Sequence, residues 1–441
     1  MKETPVDKWI IDPINRFINN STMSGIVLFS SALLAIILSN SPWGEQFHHL
    51  WEHEFSIGFD GKYITKSLHH WINDGLMAVF FFVVGLELKR EVVAGELRDP
   101  KNAILPIVAA LGGMLLPAII YLFFNPSGTT SDGWGIPMAT DIAFALGVLY
   151  LLGNKVPLAL KIFLTALAIV DDIGAVLVIA FFYTSDINFI SLATGGFFMA
   201  VLIFSNIIGI RNTIYYGIIG IAGLWLAFLM SGVHATIAAV LAAMTIPVNV
   251  KVSEKEYINR VKNLIKKFEA EEPNQQPTVT PSQLHIIEDI RNCSKKALTP
   301  LQRLEHRMHP VVAFVIMPIF ALSNAGVIFS GDVMNQLSSP VFYGVFVGLL
   351  AGKVIGVYGI VSVLLKLKWL TLPEGMNKLH LLGAGFLAAI GFTMSLFIGG
   401  LAFVDKTHIE EAKMGVLFAS VIASFIGYFI IKYANKQEVS T

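Results

Sequence analysis

The chain has 441 residues, 55% of them hydrophobic and 14% charged, with a mean hydropathy of +0.67 and no formal net charge. That balance excludes an ordinary soluble domain, because the apolar residues gather in blocks of about twenty, the length of a bilayer-crossing helix. The one cysteine, Cys293, excludes an internal disulfide framework and a multi-cysteine metal site, and the neutral balance suggests no nucleic-acid partner.

In chain order, polar residues Met1–Asn20 precede a first apolar block, Met23–Leu38, which ends at Ser39-Asn-Ser-Pro42 and reads as a retained span. Apolar blocks between polar punctuation then suggest spans at roughly 22–40, 69–88, 102–124, 135–152, 158–183, 188–209, 213–229, 231–248, 309–328, 339–365, 379–403 and 411–433. The fold class expected is an all-α integral membrane protein of about twelve transmembrane helices, one polytopic domain over 1–441. Of the 31 Lys and Arg, only Lys62, Lys66, Lys406 and Lys413 fall on the outer side if the N-terminus is inside, and Lys353 lies within a span. The bias supports an even number of spans with both termini cytoplasmic.

Two pieces lie outside the spans. Residues 44–67 form an outer loop in which Phe55–Phe59 and Lys62–Thr65 flank Asp60-Gly61, a hairpin signal. Residues 250–308 form a cytoplasmic insert that reads as a solvated connector. It holds an amphipathic helix with Ile258, Val261, Ile265 and Phe268 on one face, a proline-bearing linker over 271–277, and a second helix starting at Thr280-Pro281.

The chemistry is concentrated where charge interrupts grease. Asp171 and Asp172 stand at the centre of a block with six apolar or small residues before them and ten after. One charge at the middle of a span costs roughly 2.5–3.5 kcal/mol on insertion scales, so two need an offset. Adjacent helical residues point about 100° apart, so one carboxylate can face a cavity while the other faces a partner helix. Lys353 lies too deep in its block to snorkel to either surface, which leaves it neutral or paired with a carboxylate. Glycine and proline interrupt the block just before Thr140-Asp141, and Gly383–Ser395 is similarly punctured. Broken backbone at membrane depth is tolerated only beside protein or water. Paired interruptions in the two halves of a chain point to a transport site at the bilayer middle.

Four stretches, Ala139-Thr-Asp-Ile-Ala-Phe-Ala-Leu-Gly147, Leu167-Ala-Ile-Val-Asp-Asp-Ile-Gly174, Asn73-Asp-Gly-Leu-Met-Ala-Val-Phe-Phe81 and Gly232-Val-His-Ala-Thr236, resemble the NhaA family of bacterial sodium/proton antiporters, in the family's order and over nearly the whole chain. The pairing of interruptions with a midplane site was drawn in part from NhaA, so it is not independent of the resemblance. The resemblance implies inverted repeats, with spans three to five and ten to twelve as counterparts and broken spans four and eleven crossing at mid-membrane. It also implies a dimer through the outer hairpin and a bacterial inner-membrane location. Asp172 then matches the principal ion and proton carboxylate, with Na⁺ held at Asp172 and Asp171, and Lys353 is the partner of Asp171. Thr140 and Asp141 match the broken-helix pair. Asp74 matches an acidic residue in the outer part of span two. Glu87, Arg90 and Glu91, with Arg303, Glu305 and His306, match a cytoplasmic pH-sensing cluster, and His234 is a candidate for tuning the pH response.

The activity implied is exchange of cytoplasmic Na⁺ or Li⁺ for external H⁺, electrogenic if a second proton is carried, with no cofactor and the lipid bilayer as surroundings. Hard oxygen ligands suit small hard cations, and proton and sodium compete for the same oxygens. Two features depart from the family pattern: Gln302 stands where a basic residue is expected, and the 251–299 insert is longer than the usual connection. Rival classes find no motif. The Gly-x-Gly-Asp of intramembrane aspartyl proteases, a zinc His-Glu-x-x-His and a Walker phosphate loop are all absent. A cation channel would show ion flux without proton coupling.

Overall fold

The computed structural model describes residues 21–59, 62–184, 187–271, 278–329 and 333–438. The polar N-terminal segment before residue 21, the Asp60-Gly61 turn and residues 272–277 of the insert linker lie outside the described residues. Each of the twelve apolar blocks is helical. Among the described residues, eight helices are long and apolar enough to cross a bilayer: Thr22–Ser39, Pro100–Phe124, Thr129–Tyr150, Leu158–Phe182, Phe189–Ile208, Pro300–Asn324, Pro340–Lys366 and Lys406–Gln437. Lys378–Ala388 and Phe392–Ala402, bent by 41° at their break, make a ninth if counted together. Two blocks form shorter apolar helices, Thr213–Leu229 and Ala235–Thr245, parted by a turn in which Gly232 takes a φ of +82°. The remaining block continues without a break into Glu87-Leu-Lys-Arg-Glu91, so the Met77–Ala94 helix ends in charge.

Local chemistry sets the helix starts. Asp99 accepts from the Lys101 N–H, with Pro100 at the first helical position where its missing N–H costs nothing. Thr280 with Gln283, and Thr299 with Gln302, form reciprocal capping boxes ahead of the next two helices. The second box gives Gln302 a reason to be glutamine. Its Oε1 accepts from the Thr299 N–H at 3.4 Å, which a basic side chain could not do.

Strands β1 (Glu54–Phe59) and β2 (Lys62–Ser67) pair antiparallel with Ile57 opposite Ile64. In the insert, helices Glu254–Ala270 and Pro281–Ala297 pack on each other. The covered face differs from the one expected. Tyr257, Val261, Leu264 and Phe268 are partly buried, whereas Ile258 and Ile265 are 43% and 45% exposed. The Tyr257 hydroxyl lies 3.1 Å from Ser294 Oγ on the facing helix and marks which side is covered.

The helices close tightly around the centre through glycine. Pro340–Lys366 crosses Pro100–Phe124 where Gly356 meets Gly112, and a Cβ on Gly356 would lie 2.2 Å from the Gly112 carbonyl oxygen. Backbones this near leave no room for any side chain. Gly356→Ala is expected to cost about 1–3 kcal/mol by overpacking, read as a lower thermal midpoint of the purified protein. An unchanged midpoint would contradict that crossing.

Candidate functional site

Asp171 and Asp172 sit in the middle of Leu158–Phe182, and neither is more than 1% exposed. Water at a helix end therefore does not solvate them. Lys353 is also fully buried, at the end of one wide helical turn, Gly348–Lys353, and two residues before a second, Ile355–Gly359, in the Pro340–Lys366 helix. Its ammonium donates to Asp171 Oδ2. Thr140 Oγ1 lies 2.6 Å from that same oxygen and 2.7 Å from the Ala388 carbonyl. One hydroxyl proton can serve only one of these acceptors at a time.

The two interrupted segments meet. The Asp141 N–H donates to the Ile390 carbonyl at 2.7 Å, and Ser395 Oγ donates to the Ile136 carbonyl at 2.7 Å. Asp141 caps both half-helices that start here. Its Oδ1 accepts from the Phe144 N–H at 2.9 Å, and its Oδ2 accepts from the Thr393 N–H at 3.1 Å and from the Thr393 hydroxyl. A carboxylate shared by two helix N-termini is stabilised by both sets of free N–H groups and both dipoles.

The centre also holds carboxylate oxygens that nothing satisfies among the described residues. Asp172 Oδ1 is buried with no hydrogen-bond partner among them, and Asp171 Oδ1 is in the same condition. A buried orphan carboxylate oxygen is costly unless a proton or cation meets it. Among the described residues no three His, Cys, Asp or Glu side chains converge as a resident metal centre would need. What converges is hard oxygen: two carboxylates, a hydroxyl and carbonyls of a broken helix.

Among the described residues, the other sequence candidates make no hydrogen bond or ion pair with this centre. Asp74 faces His70 at 3.6 Å, and His234 Nε2 is 2.6 Å from the Tyr183 carbonyl. Arg90 pairs with Glu91 at 3.0 Å and Glu305 at 2.9 Å, tying Met77–Ala94 to the start of Pro300–Asn324. Glu87 is partly buried on the same helix, Arg303 reaches the Arg211 carbonyl at 3.5 Å, and His306 is exposed. Residue-level reasoning did not single out Thr393 or Ser395. Their signal is that they are hydroxyls directly after the Gly391 interruption, where a half-helix begins.

A helical membrane protein whose buried ion pair and orphan carboxylate sit where two broken helices meet is a polytopic protein built around a charged interior site. The chain belongs to the family whose model is described as Na⁺/H⁺ antiporter 1, which matches residues 15–431. Proteins called Na(+)/H(+) antiporter NhaA share that likeness. The one from Oleidesulfovibrio alaskensis is 48% identical, covering 97% of this chain and 95% of its own length. The one from Acidithiobacillus ferrooxidans is 48% identical over 97% and 99%, and that from Wolinella succinogenes 46% over 96% and 94%.

Lys353→Met strands a buried carboxylate and is expected to cost about 3–5 kcal/mol. Adding Asp171→Asn should recover most of the loss in thermal midpoint. A double variant no more stable than the single would show that the two groups are not paired.

Proposed function

We propose that the chain exchanges cytoplasmic Na⁺ or Li⁺ for external H⁺ across a bacterial inner membrane, in an electrogenic and pH-regulated cycle. The observation that carries this reading is the orphaned Asp172 oxygen beside the Asp171–Lys353 pair, in a chain of antiporter family. Burial favours the neutral form of a carboxyl and a bound cation favours the charged form, so proton and sodium exclude one another at one site. Release of the ion to one side and uptake of the proton from the other then ties the two flows together. The Asp171–Lys353 pair offers a place for a second proton, which makes the cycle electrogenic.

Thr140 and the Ala388 carbonyl supply further oxygens for a small hard cation, while Asp141 holds the two broken segments in register. In this reading all twelve helical blocks span the bilayer, with the breaks at mid-membrane and both termini cytoplasmic. The cluster of Glu87, Arg90, Glu91 and Glu305, with Arg303 and His306, lies at the cytoplasmic face and sets the pH response. Asp74 and His234 belong to the outer path. The β1–β2 ribbon exposes Phe55, Ile57 and Tyr63, more than half of each side chain, and such a face suits a dimer contact.

Asp172→Asn should abolish sodium-dependent proton movement in everted vesicles while leaving the amount of protein in the membrane unchanged. Full activity in that variant would remove Asp172 from the cycle. In proteoliposomes, sodium pulses should change internal pH; sodium flux with constant pH would instead mean a channel. At constant sodium the apparent affinity should fall by up to about tenfold per pH unit on the acid side, as expected when a ligand must lose one proton to bind.

A further inference from the structure

Lys353 and Asp171 belong to helices that are both packed against a third, Pro100–Phe124. The lysine stem reaches its partner across that third helix, at a point where the helix carries two consecutive glycines. Gly112 is used by the backbone contact with Gly356. Gly113 faces the lysine: a Cβ there would lie 3.5 Å from Lys353 Cδ, 3.9 Å from its Nζ and 3.0 Å from Val357 Cγ2. The space beyond a Cβ at 113 is therefore shared by the lysine stem and Val357.

We propose that Gly113 is a positioning residue for the exchange reaction: its missing side chain makes the notch that seats the Lys353 stem and holds the ammonium on Asp171. The notch is sized for nothing more. A methyl group at 113 would just touch the stem, and any atom beyond it must displace the stem away from Pro100–Phe124, drawing Nζ off the carboxylate. The charged groups that act on Lys353 are Asp171 and Asp172, and Asp141 and Glu87 act in turn on Asp172. Drawing the ammonium off Asp171 changes the charge beside the carboxylates of the centre, and the pH profile of exchange reads that change.

The test is a size series in which Val357→Ala relieves the one contact below ordinary van der Waals distance. Gly113→Ala/Val357→Ala should keep the pH profile of Val357→Ala alone. Gly113→Val/Val357→Ala should displace it by about half a pH unit or more, equivalent to about a threefold change in proton activity. This arm rests on the exchange reading above. A second arm does not, because it reads thermal midpoint. Gly113→Val should lower the midpoint when Lys353 is present. It should raise it in a Lys353→Ala/Asp171→Asn background, where no carboxylate is stranded and the valine fills the space the stem has left. If the Gly113→Val protein is not recovered from membranes, adding Lys353→Ala together with Asp171→Asn should restore it. Equal midpoint changes in both backgrounds, no recovery on removing the ion pair, or coincident profiles for the alanine and valine pairs would each overturn the assignment. A fall in midpoint that ignores Lys353 would mark Gly113 as a packing residue only.

Discussion

Taking an ammonium and a carboxylate out of water costs several kcal/mol per ion even after relaxation, and in this protein both lie fully buried at the centre of the helices. The Lys353–Asp171 pair is the constraint around which the rest is arranged. Mutual attraction offsets part of the cost, and the Thr140 hydroxyl adds a hydrogen bond to the charged oxygen. Reaching across the protein interior requires helices in close contact, which explains glycine at 112, 113 and 356. A rim position for either charge would need none of this and would give a weak surface pair. The architecture sustains the pair at some cost to stability, and such arrangements are retained where they have a task.

The broken segments supply what an unbroken helix cannot. A continuous helix satisfies its own carbonyls and N–H groups, leaving nothing to offer an ion. Here the breaks free the Ala388 and Ile390 carbonyls on one side and the N–H groups of Phe144 and Thr393 on the other. Asp141 gathers the free donors of both half-helices and so ties the two segments together. Thr140 is the more labile part, since its single proton lies within reach of two acceptors. Next to these, Asp171 and Asp172 each keep one buried oxygen with no hydrogen-bond partner among the described residues, a condition that a proton or a cation would relieve.

Much of this was legible in the sequence because charge in a greasy block has few interpretations. Two adjacent aspartates flanked by apolar residues, and a lysine too deep to snorkel, announce a buried polar site without reference to any relative. The helical blocks were visible for the same reason, from length and hydropathy alone. Which aspartate takes the lysine was not legible from spacing, since residues 100° apart leave either open, and only the resemblance pointed to Asp171. Amphipathic periodicity gave a helix in the insert but misplaced its covered face by part of a turn, because the facing helix decides which side is buried. Gln302 looked like a departure until its place in a capping box gave it a local task. Thr393 and Ser395 went unmarked because a hydroxyl after a glycine is common, and only the meeting of residues 252 and 259 positions apart gives it meaning.

The central claim is that one dehydrated acid takes sodium or a proton in turn. The most direct test adds Na⁺ to the purified, weakly buffered protein and follows proton release with a pH indicator, while calorimetry reports sodium binding. Binding should be accompanied by proton release from the native protein, and Asp172→Asn should lose both signals. Sodium that binds the native protein with its usual heat and releases no protons would contradict the account.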